Sequence, residues 1–413
     1  MHHEIPLIST IAVGLVYALI GGYIASRLRL PPLVGYLLAG IVVGPFTPGL
    51  VADAKLAPQL AEIGVILLMF GVGLHFSLRD LLAVRRVAVP GALVQVIATV
   101  VMSYGVSRLW GWTNGAGLVL GLALSVASTV VLLRALETQG LLSSASGRIA
   151  VGWLVVEDLF TVVVLVLLPA LASLLAEQPI SDAAGNHGEW DLLLSLGIAL
   201  AKLAAFVLFM LLIGARLLRW LLNRVAATAS RELFTLAIVA AAIGIGFGAS
   251  EGFGLSFALG AFFAGVVVGE CGHGERAAVE LRPLQDVFNA LFFVAIGMLF
   301  DPGILLRQPF AELCVVAVIV LGKPAVTFLI VVLLRYPVGD ALIIAAGLAQ
   351  IGEFSFILAE LGIGLHLLPA EAQSLIVAGA LISIALNSFL LRAARSIALR
   401  ARADEPREQA STV

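Results

Sequence analysis

Two adjacent acidic residues, Glu157 and Asp158, interrupt a long apolar segment of the sequence. Predominantly apolar residues occupy both flanks, at 149–156 and 159–164. A carboxylate at the centre of a bilayer helix costs about 2.5–3.5 kcal/mol on insertion scales. A chain that keeps two carboxylates in such a place is predicted to use them to hold a cation or a proton.

The composition indicates a polytopic membrane protein that is all α-helical. Of the 413 residues, 61% are hydrophobic and only 12% are charged, which excludes an ordinary soluble domain. A helix needs about 20 apolar residues to cross the hydrocarbon core, and by that measure the sequence predicts about thirteen spans. They lie near residues 5–26, 32–46, 58–77, 86–108, 115–136, 147–175, 190–216, 231–249, 255–269, 283–300, 308–334, 339–361 and 370–397.

The distribution of basic residues predicts the orientation in the membrane. The C-terminal tail and the loops on its side of the predicted topology hold nineteen of the 24 lysines and arginines. The opposite side holds only Lys55, Arg108 and Arg307. Since basic loops stay in the cytosol, we expect the N-terminus outside and the C-terminus inside a bacterial inner (plasma) membrane. The first span has no basic region before it, so we interpret it as a retained helix rather than a signal peptide.

The chain repeats itself at an offset of about 225 residues. Residues 39–44 (Ala-Gly-Ile-Val-Val-Gly) recur as 264–269 (Ala-Gly-Val-Val-Val-Gly), and residues 63–76 align with 287–300. We therefore predict one transmembrane domain over residues 1–400, followed by a short cytosolic tail at 401–413. Two six-helix repeats, 5–175 and 231–397, would be joined by a linker helix at 190–216. A single crossing between them would invert the second repeat, which is typical of secondary transporters with a midplane binding site.

Polar residues interrupt the fifth and twelfth spans at matching positions of the repeats. The fifth span carries Ser125, Ser128 and Thr129, the twelfth carries Gln350 and Glu353, and the offset of 225 aligns Ser128 with Glu353. Unwound helix at these places would leave backbone groups for side chains or an ion to satisfy. For the three hydroxyls, the alternative is a bond to a carbonyl four residues earlier in an intact helix. For Glu353 we favour an electrostatic role, offsetting the positive ends of two broken helices.

Lys323 is a further charge at mid-depth, in the eleventh span, and it requires an acidic partner. Glu157 and Asp158 point about 100° apart on a helix, so one can pair with Lys323 while the other faces a cavity and binds the ion. The alternative is a purely structural ion pair. Lys202, in the linker helix, is expected to snorkel or to pair structurally. Cys271 and Cys314 are expected to be free thiols, and we predict no metal site beyond the transported alkali cation.

The residues resemble the monovalent cation:proton antiporter-2 family, in particular its Kef-like branch. The resemblance covers nearly the whole chain. Its motifs are residues 32–40, 64–73, 128–131, 156–159, 260–265 and 352–354.

The resemblance implies a homodimer in which spans 1–3 and 8–10 form a dimer scaffold, and spans 4–6 and 11–13 form a mobile core. It implies that Asp158 is the ion-binding aspartate and that Ser128 and Thr129 lie in an unwound stretch. Lys323 matches the lysine that electrogenic members pair with the first acid.

The sequence departs from the family in two places. Kef proteins usually have Gln, and several electrogenic sodium antiporters have Asp, at the position of Glu157, which leaves selectivity and stoichiometry open. Kef-type proteins also commonly continue into a cytosolic nucleotide-binding domain, whereas this sequence stops at Val413. We expect no cofactor in this chain. A nucleotide would bind a regulatory domain outside it.

The resulting hypothesis is exchange of a monovalent cation, with K⁺ favoured and Na⁺ possible, for protons by alternating access at Asp158. The expected partners are these ions, membrane lipid and a second copy of the chain, with no nucleic acid. Three alternatives stay open: a channel-like K⁺ efflux pathway, a sodium-coupled solute symporter, and a membrane enzyme that uses paired acids. The spacing argues against the enzyme, because protease acids come from two helices and these two are neighbours on one.

Overall fold

A computed structural model describes residues 6–47, 56–75, 78–175 and 189–403, and this part of the chain is helical without any strand. The helices are α1 (Pro6–Arg27), α2 (Pro32–Val43), α3 (Ala57–His75), α4 (Leu78–Leu109), α5 (Asn114–Ser125), α6 (Thr129–Thr138), α7 (Ala145–Leu175), α8 (Glu189–Phe209), α9 (Ala215–Ala226), α10 (Arg231–Phe253), α11 (Phe257–Val268), α12 (Gly274–Met298), α13 (Ile304–Arg307), α14 (Pro309–Ala317), α15 (Lys323–Leu333), α16 (Val338–Gly347), α17 (Glu353–Gly364) and α18 (Glu371–Ala403). Three π-helical segments, Met210–Gly214, Gly269–His273 and Val318–Gly322, join α8 to α9, α11 to α12 and α14 to α15.

The predicted all-α membrane architecture is confirmed. Within the described residues, nine helical stretches are long and apolar enough to cross a membrane, and three apolar helices are shorter. The total of thirteen spans stays a prediction. The fourth predicted span, 86–108, coincides with the apolar stretch Arg86–Leu109, although the helix that contains it, α4, begins earlier, at Leu78. The helix extends back to Leu78 because the arginines that follow Leu78 are good helix formers. No Gly or Pro, which would interrupt the helix, lies between Leu78 and Pro90.

The helices divide into two compact units, and α7 contributes to both. The first unit comprises Met1–Ser77 with Val162–Pro302. It contains two close helix approaches that small residues permit. A Cβ on Gly40 would strike the backbone at Gly297, and a Cβ on Gly73 would strike the backbone beside Gly265. Gly40 aligns with Gly265, and Gly73 with Gly297, in the predicted repeat, so the two approaches are equivalent, and each joins a helix of one half to a helix of the other.

The second unit comprises Leu78–Thr161 with Gly303–Val413. Its apolar core surrounds Trp153, with Leu132, Ile344 and Leu391 among the fully buried members. Trp153 precedes Glu157 by one turn of α7, so the packing of the indole fixes the rotation of the helix that carries both acids. All the predicted site residues lie in this second unit.

Candidate functional site

Two helical stretches of the second unit are each broken into two shorter helices. Residues 126–128 separate α5 from α6, and residues 348–352 separate α16 from α17. Both breaks are buried. Unpaired backbone N–H and C=O groups are costly in hydrocarbon. The backbone groups of each break must therefore form hydrogen bonds with the other break or with neighbouring side chains.

The two breaks cross and hydrogen-bond to each other. The backbone N–H of Gly352 donates to the carbonyl of Val126 at 3.2 Å. The side chain of Gln350 pairs with both backbone groups of Ser128: its Oε1 accepts from the N–H at 2.9 Å, and its Nε2 donates to the carbonyl at 3.1 Å. A Cβ on Gly352 would lie 2.6 Å from the Cα of Ser128. Only glycine therefore allows this approach.

The N-terminal ends of α6 and α17 meet at Ser128 and Glu353. The Ser128 hydroxyl caps α6 by accepting from the N–H of Val131 at 3.3 Å, and it donates to Glu353 Oε2 at 3.1 Å. Glu353 is the first residue of α17. A carboxylate there is stabilised by the positive ends of both half-helices. The two residues aligned by the repeat are thus in direct contact, as expected close to a pseudo-two-fold axis.

The C-terminal ends of α5 and α16 are held by two buried amides that the sequence analysis did not single out. Gln95 Nε2 donates to the carbonyl of Ser125 at 3.2 Å, and Asn387 Nδ2 donates to the carbonyls of Ala346 and Gly347 at 2.8 and 3.2 Å. Gln95 also accepts from the indole N–H of Trp153 at 3.3 Å. An amide inside an apolar span is the signal that would have drawn attention to both residues.

Glu157 lies beside the first break and pairs with Lys323. Its Oε2 accepts from the backbone N–H of Ala127 at 2.8 Å and lies 3.9 Å from Lys323 Nζ. The ammonium group also donates to the carbonyl of Gln350 in the second break, at 3.3 Å. Both charged side chains are fully buried. Glu157 is therefore the acid that neutralises Lys323.

Asp158 lies on the next position of α7 and faces α6. Its Oδ2 accepts from the hydroxyl of Thr129 at 2.9 Å. Among the residues that the structure describes, its Oδ1 has no hydrogen-bond donor, and neither has Oε1 of Glu157. Asp158 has no cation within salt-bridge distance in the described ranges. A carboxylate in this position can bind a proton or coordinate a small cation.

The remaining predictions have mixed outcomes. The fifth span is broken rather than intact, but the Ser125 hydroxyl donates to the carbonyl of Leu122 at 2.8 Å, so only the carbonyl of Ser125 takes part in the crossing. Lys202 is exposed on α8. Cys271 and Cys314 are free. No group of three or more metal-ligating side chains occurs in the described part of the chain.

Crossed broken helices around buried charges, in a chain of many apolar helices, define a secondary ion transporter. The sequence matches the family described as "Sodium/hydrogen exchanger, transmembrane" over residues 15–394. The chain belongs to that family.

Named relatives confirm the resemblance to the Kef-like branch. The chain is 55% identical over 390 residues to "Putative cation/proton antiporter YbaL" of Escherichia coli (strain K12), which covers 94% of this chain and 69% of YbaL. It is 31% identical over 391 residues to "K(+) efflux antiporter 4" of Arabidopsis thaliana, with 94% of this chain and 64% of that protein covered.

A solved structure has the same fold. The sodium proton antiporter MjNhaP1 of Methanocaldococcus jannaschii superposes with a TM-score of 0.70 and 16% identity, covering 96% of this chain and 99% of the other.

Proposed function

We propose that this protein exchanges a monovalent cation for protons across a bacterial inner membrane. It is a transporter and not an enzyme. K⁺ is the favoured cation because a relative that covers nearly the whole chain is named a K⁺ efflux antiporter. Na⁺ is the second candidate. The observation that carries the proposal is the buried Asp158 carboxylate beside the crossed helix breaks.

In the proposed mechanism, protons and the cation compete for Asp158. Either one neutralises the carboxylate, and both cannot occupy it together. A core with a neutralised site can move across the membrane at low electrostatic cost, whereas an empty and charged core is held back. The second unit is the proposed mobile core, the first unit is the proposed scaffold of a homodimer, and the N-terminus lies outside the cell.

The two broken helices support ion binding in this mechanism. The Thr129 hydroxyl bonds one oxygen of Asp158, and the other oxygen is buried without a hydrogen-bond partner among the described residues. Carbonyl oxygens, of the kind that replace the hydration shell of K⁺ in channels, would supply neutral ligands if the first break rearranges around the ion. Glu157 stays paired with Lys323 and serves as a fixed charge.

The proposal is tested in proteoliposomes that carry a trapped pH dye, by adding K⁺, Na⁺ and Li⁺ separately. Exchange predicts that at least one cation moves protons, and that Asp158→Asn abolishes the signal while leaving a folded protein. Asp286→Asn is the matched control, because Asp286 is an exposed aspartate on α12. Exchange that survives in Asp158→Asn would refute the assigned site.

The same assay separates the alternatives. A channel-like efflux pathway would carry labelled cation without obligatory proton movement, and a sodium-coupled symporter would require an organic solute. Proton movement that depends on the cation, and on Asp158, contradicts both alternatives.

A further inference from the structure

Glu312 is a buried acid of the second unit that the proposed exchange at Asp158 does not use. It lies in the first turn of α14 and is only 5% exposed. Both of its carboxylate oxygens are buried, and neither has a hydrogen-bond partner within the described residues. A carboxylate without partners is costly in such surroundings. The side chain therefore needs a ligand, and a proton is the smallest that can reach it.

The surroundings of Glu312 are apolar and closely packed. Glu312, Val315 and Ile319 occupy one face of α14 and the π-helical segment that follows it, and this face packs against Gly379 of α18. A Cβ on Gly379 would lie 2.9 Å from both apolar side chains and 4.0 Å from Glu312 Oε1. Glycine at this position brings the backbone of α18 up to the carboxyl group.

Charged groups on the neighbouring elements do not neutralise Glu312. On α13, Arg307 is exposed. On α18, the exposed Glu371 accepts from Gln308 Nε2 at 2.7 Å. The π-helical segment Val318–Gly322 contains no charged residue. Lys323 follows eleven residues later, about 16 Å along the helix axis, and its ammonium group is engaged by Glu157.

A polar face of α18 leads from Glu312 towards the crossed breaks. Gly379, Ser383 and Asn387 are spaced four residues apart and share that face over about 12 Å. Ser383 Oγ is buried and donates only to the carbonyl of Ala380, at 3.2 Å, so its lone pairs can accept. Asn387 bonds the C-terminal end of α16 through Nδ2, while its buried Oδ1 has no partner in the part of the chain that is described.

We propose that Glu312 is a second proton-binding site, linked to the helix crossing by the α18 face of Gly379, Ser383 and Asn387. The proposal rests on the proposed cation/proton exchange. A hydronium ion gives its proton to the Glu312 carboxylate and becomes water, and release returns the proton from the carboxyl group to water. Ser383 and Asn387 offer oxygen atoms that accept hydrogen bonds along that face. In the proposed orientation Glu312 lies towards the outer surface, so it serves proton uptake from outside.

Two measurements on Glu312→Gln test this site, because Gln keeps the size and neutrality of a protonated Glu but cannot release a proton. Infrared spectra recorded during a pH titration should show a carboxylic-acid carbonyl band in the wild type that disappears in Glu312→Gln. In proteoliposomes, the variant should exchange about tenfold more slowly when the outer solution is alkaline and protons are scarce. The half-saturating cation concentration should be unchanged, and Glu312→Asp should restore part of the rate.

Glu371→Gln is the matched control, since Glu371 is an exposed acid that bonds Gln308 next to the start of α14. It should keep the carbonyl band of Glu312 and exchange at the wild-type rate. An unchanged carbonyl band in Glu312→Gln would overturn the proton site. Loss of the band with unchanged exchange at every pH would overturn the link to the crossing. The infrared measurement does not need transport, so absence of exchange in the wild type would refute the proposed function and leave the test of Glu312 intact.

Discussion

The buried pair of Glu157 and Lys323 allows a quantitative prediction about stability. The two charged atoms are 3.9 Å apart and both side chains are fully buried. At an effective dielectric constant of about 20 their attraction is about 4 kcal/mol, which lies within the cost of about 3–5 kcal/mol for stranding one partner of a buried pair. We expect Lys323→Met to lower the free energy of unfolding by about 4 kcal/mol, because the carboxylate of Glu157 loses its counter-charge.

The measurement is reversible unfolding in mixed micelles by titration with sodium dodecyl sulfate at alkaline pH, followed by circular dichroism. Lys202→Met is the matched control, since Lys202 is exposed on α8. Its removal should cost less than about 1 kcal/mol. The double variant Glu157→Gln with Lys323→Met should regain at least half of the loss, because no buried charge then stands alone.

The pH dependence of the stability loss distinguishes an electrostatic cause from a packing cause. A stranded carboxylate can bind a proton as the pH falls, so the deficit of Lys323→Met should be largest at alkaline pH and smaller under mildly acidic conditions. A deficit that is equal at both pH values would mean that packing, rather than charge, causes the loss. A double variant as unstable as the single one would refute the electrostatic reasoning in the same way.

Three further changes probe the crossing. Gly352→Ala should reduce exchange at least tenfold in proteoliposomes, because the added Cβ would overlap the backbone of the first break. Gly364→Ala is the control and should match the wild type, because nothing lies within 4 Å of its Cβ. Thr129→Val should raise the half-saturating cation concentration at least about tenfold, since a hydrogen bond to a charged group contributes about 1.5–3 kcal/mol and the hydroxyl bonds Asp158. Thr129→Ser should retain wild-type affinity. Gln95→Leu should cost at least about 2 kcal/mol of stability in the micelle titration, because it leaves a buried carbonyl and a buried indole N–H unpaired.

The charged residues of the site could be predicted from sequence because their signal is local. A Glu, an Asp or a Lys inside an apolar span is anomalous whatever it contacts, so Glu157, Asp158, Lys323 and Glu353 were recognisable without coordinates. The repeat offset of 225 also aligned Ser128 with Glu353, and the structure brings these two into contact at 3.1 Å. The position of each residue in its span, together with its alignment in the repeat, therefore predicted most of the site residues.

The residues that sequence reasoning missed depend on contacts between distant segments. Gln95 and Asn387 are neutral amides, and their importance follows from the helix ends that they reach, 30 and 40–41 residues away in the chain. The direction of the Ser125 hydroxyl depends on local backbone geometry, which spacing does not reveal. Glu312 was overlooked because it stands near the end of its span, where an acid is ordinarily exposed to water.

The charges at the crossing favour the proposed binding of a single monovalent ion. Glu157 is matched by Lys323. Glu353 stands at the meeting point of two half-helix N-termini, each equivalent to about half a positive charge. Asp158 has only the neutral hydroxyl of Thr129. Asp158 is thus the acid of the site without a cationic partner among the described residues, and in the proposed mechanism one proton or one alkali cation supplies that charge. A second cation would add an excess charge in a low-dielectric region, so in the proposed mechanism proton and cation exclude each other, and this exclusion couples their movement.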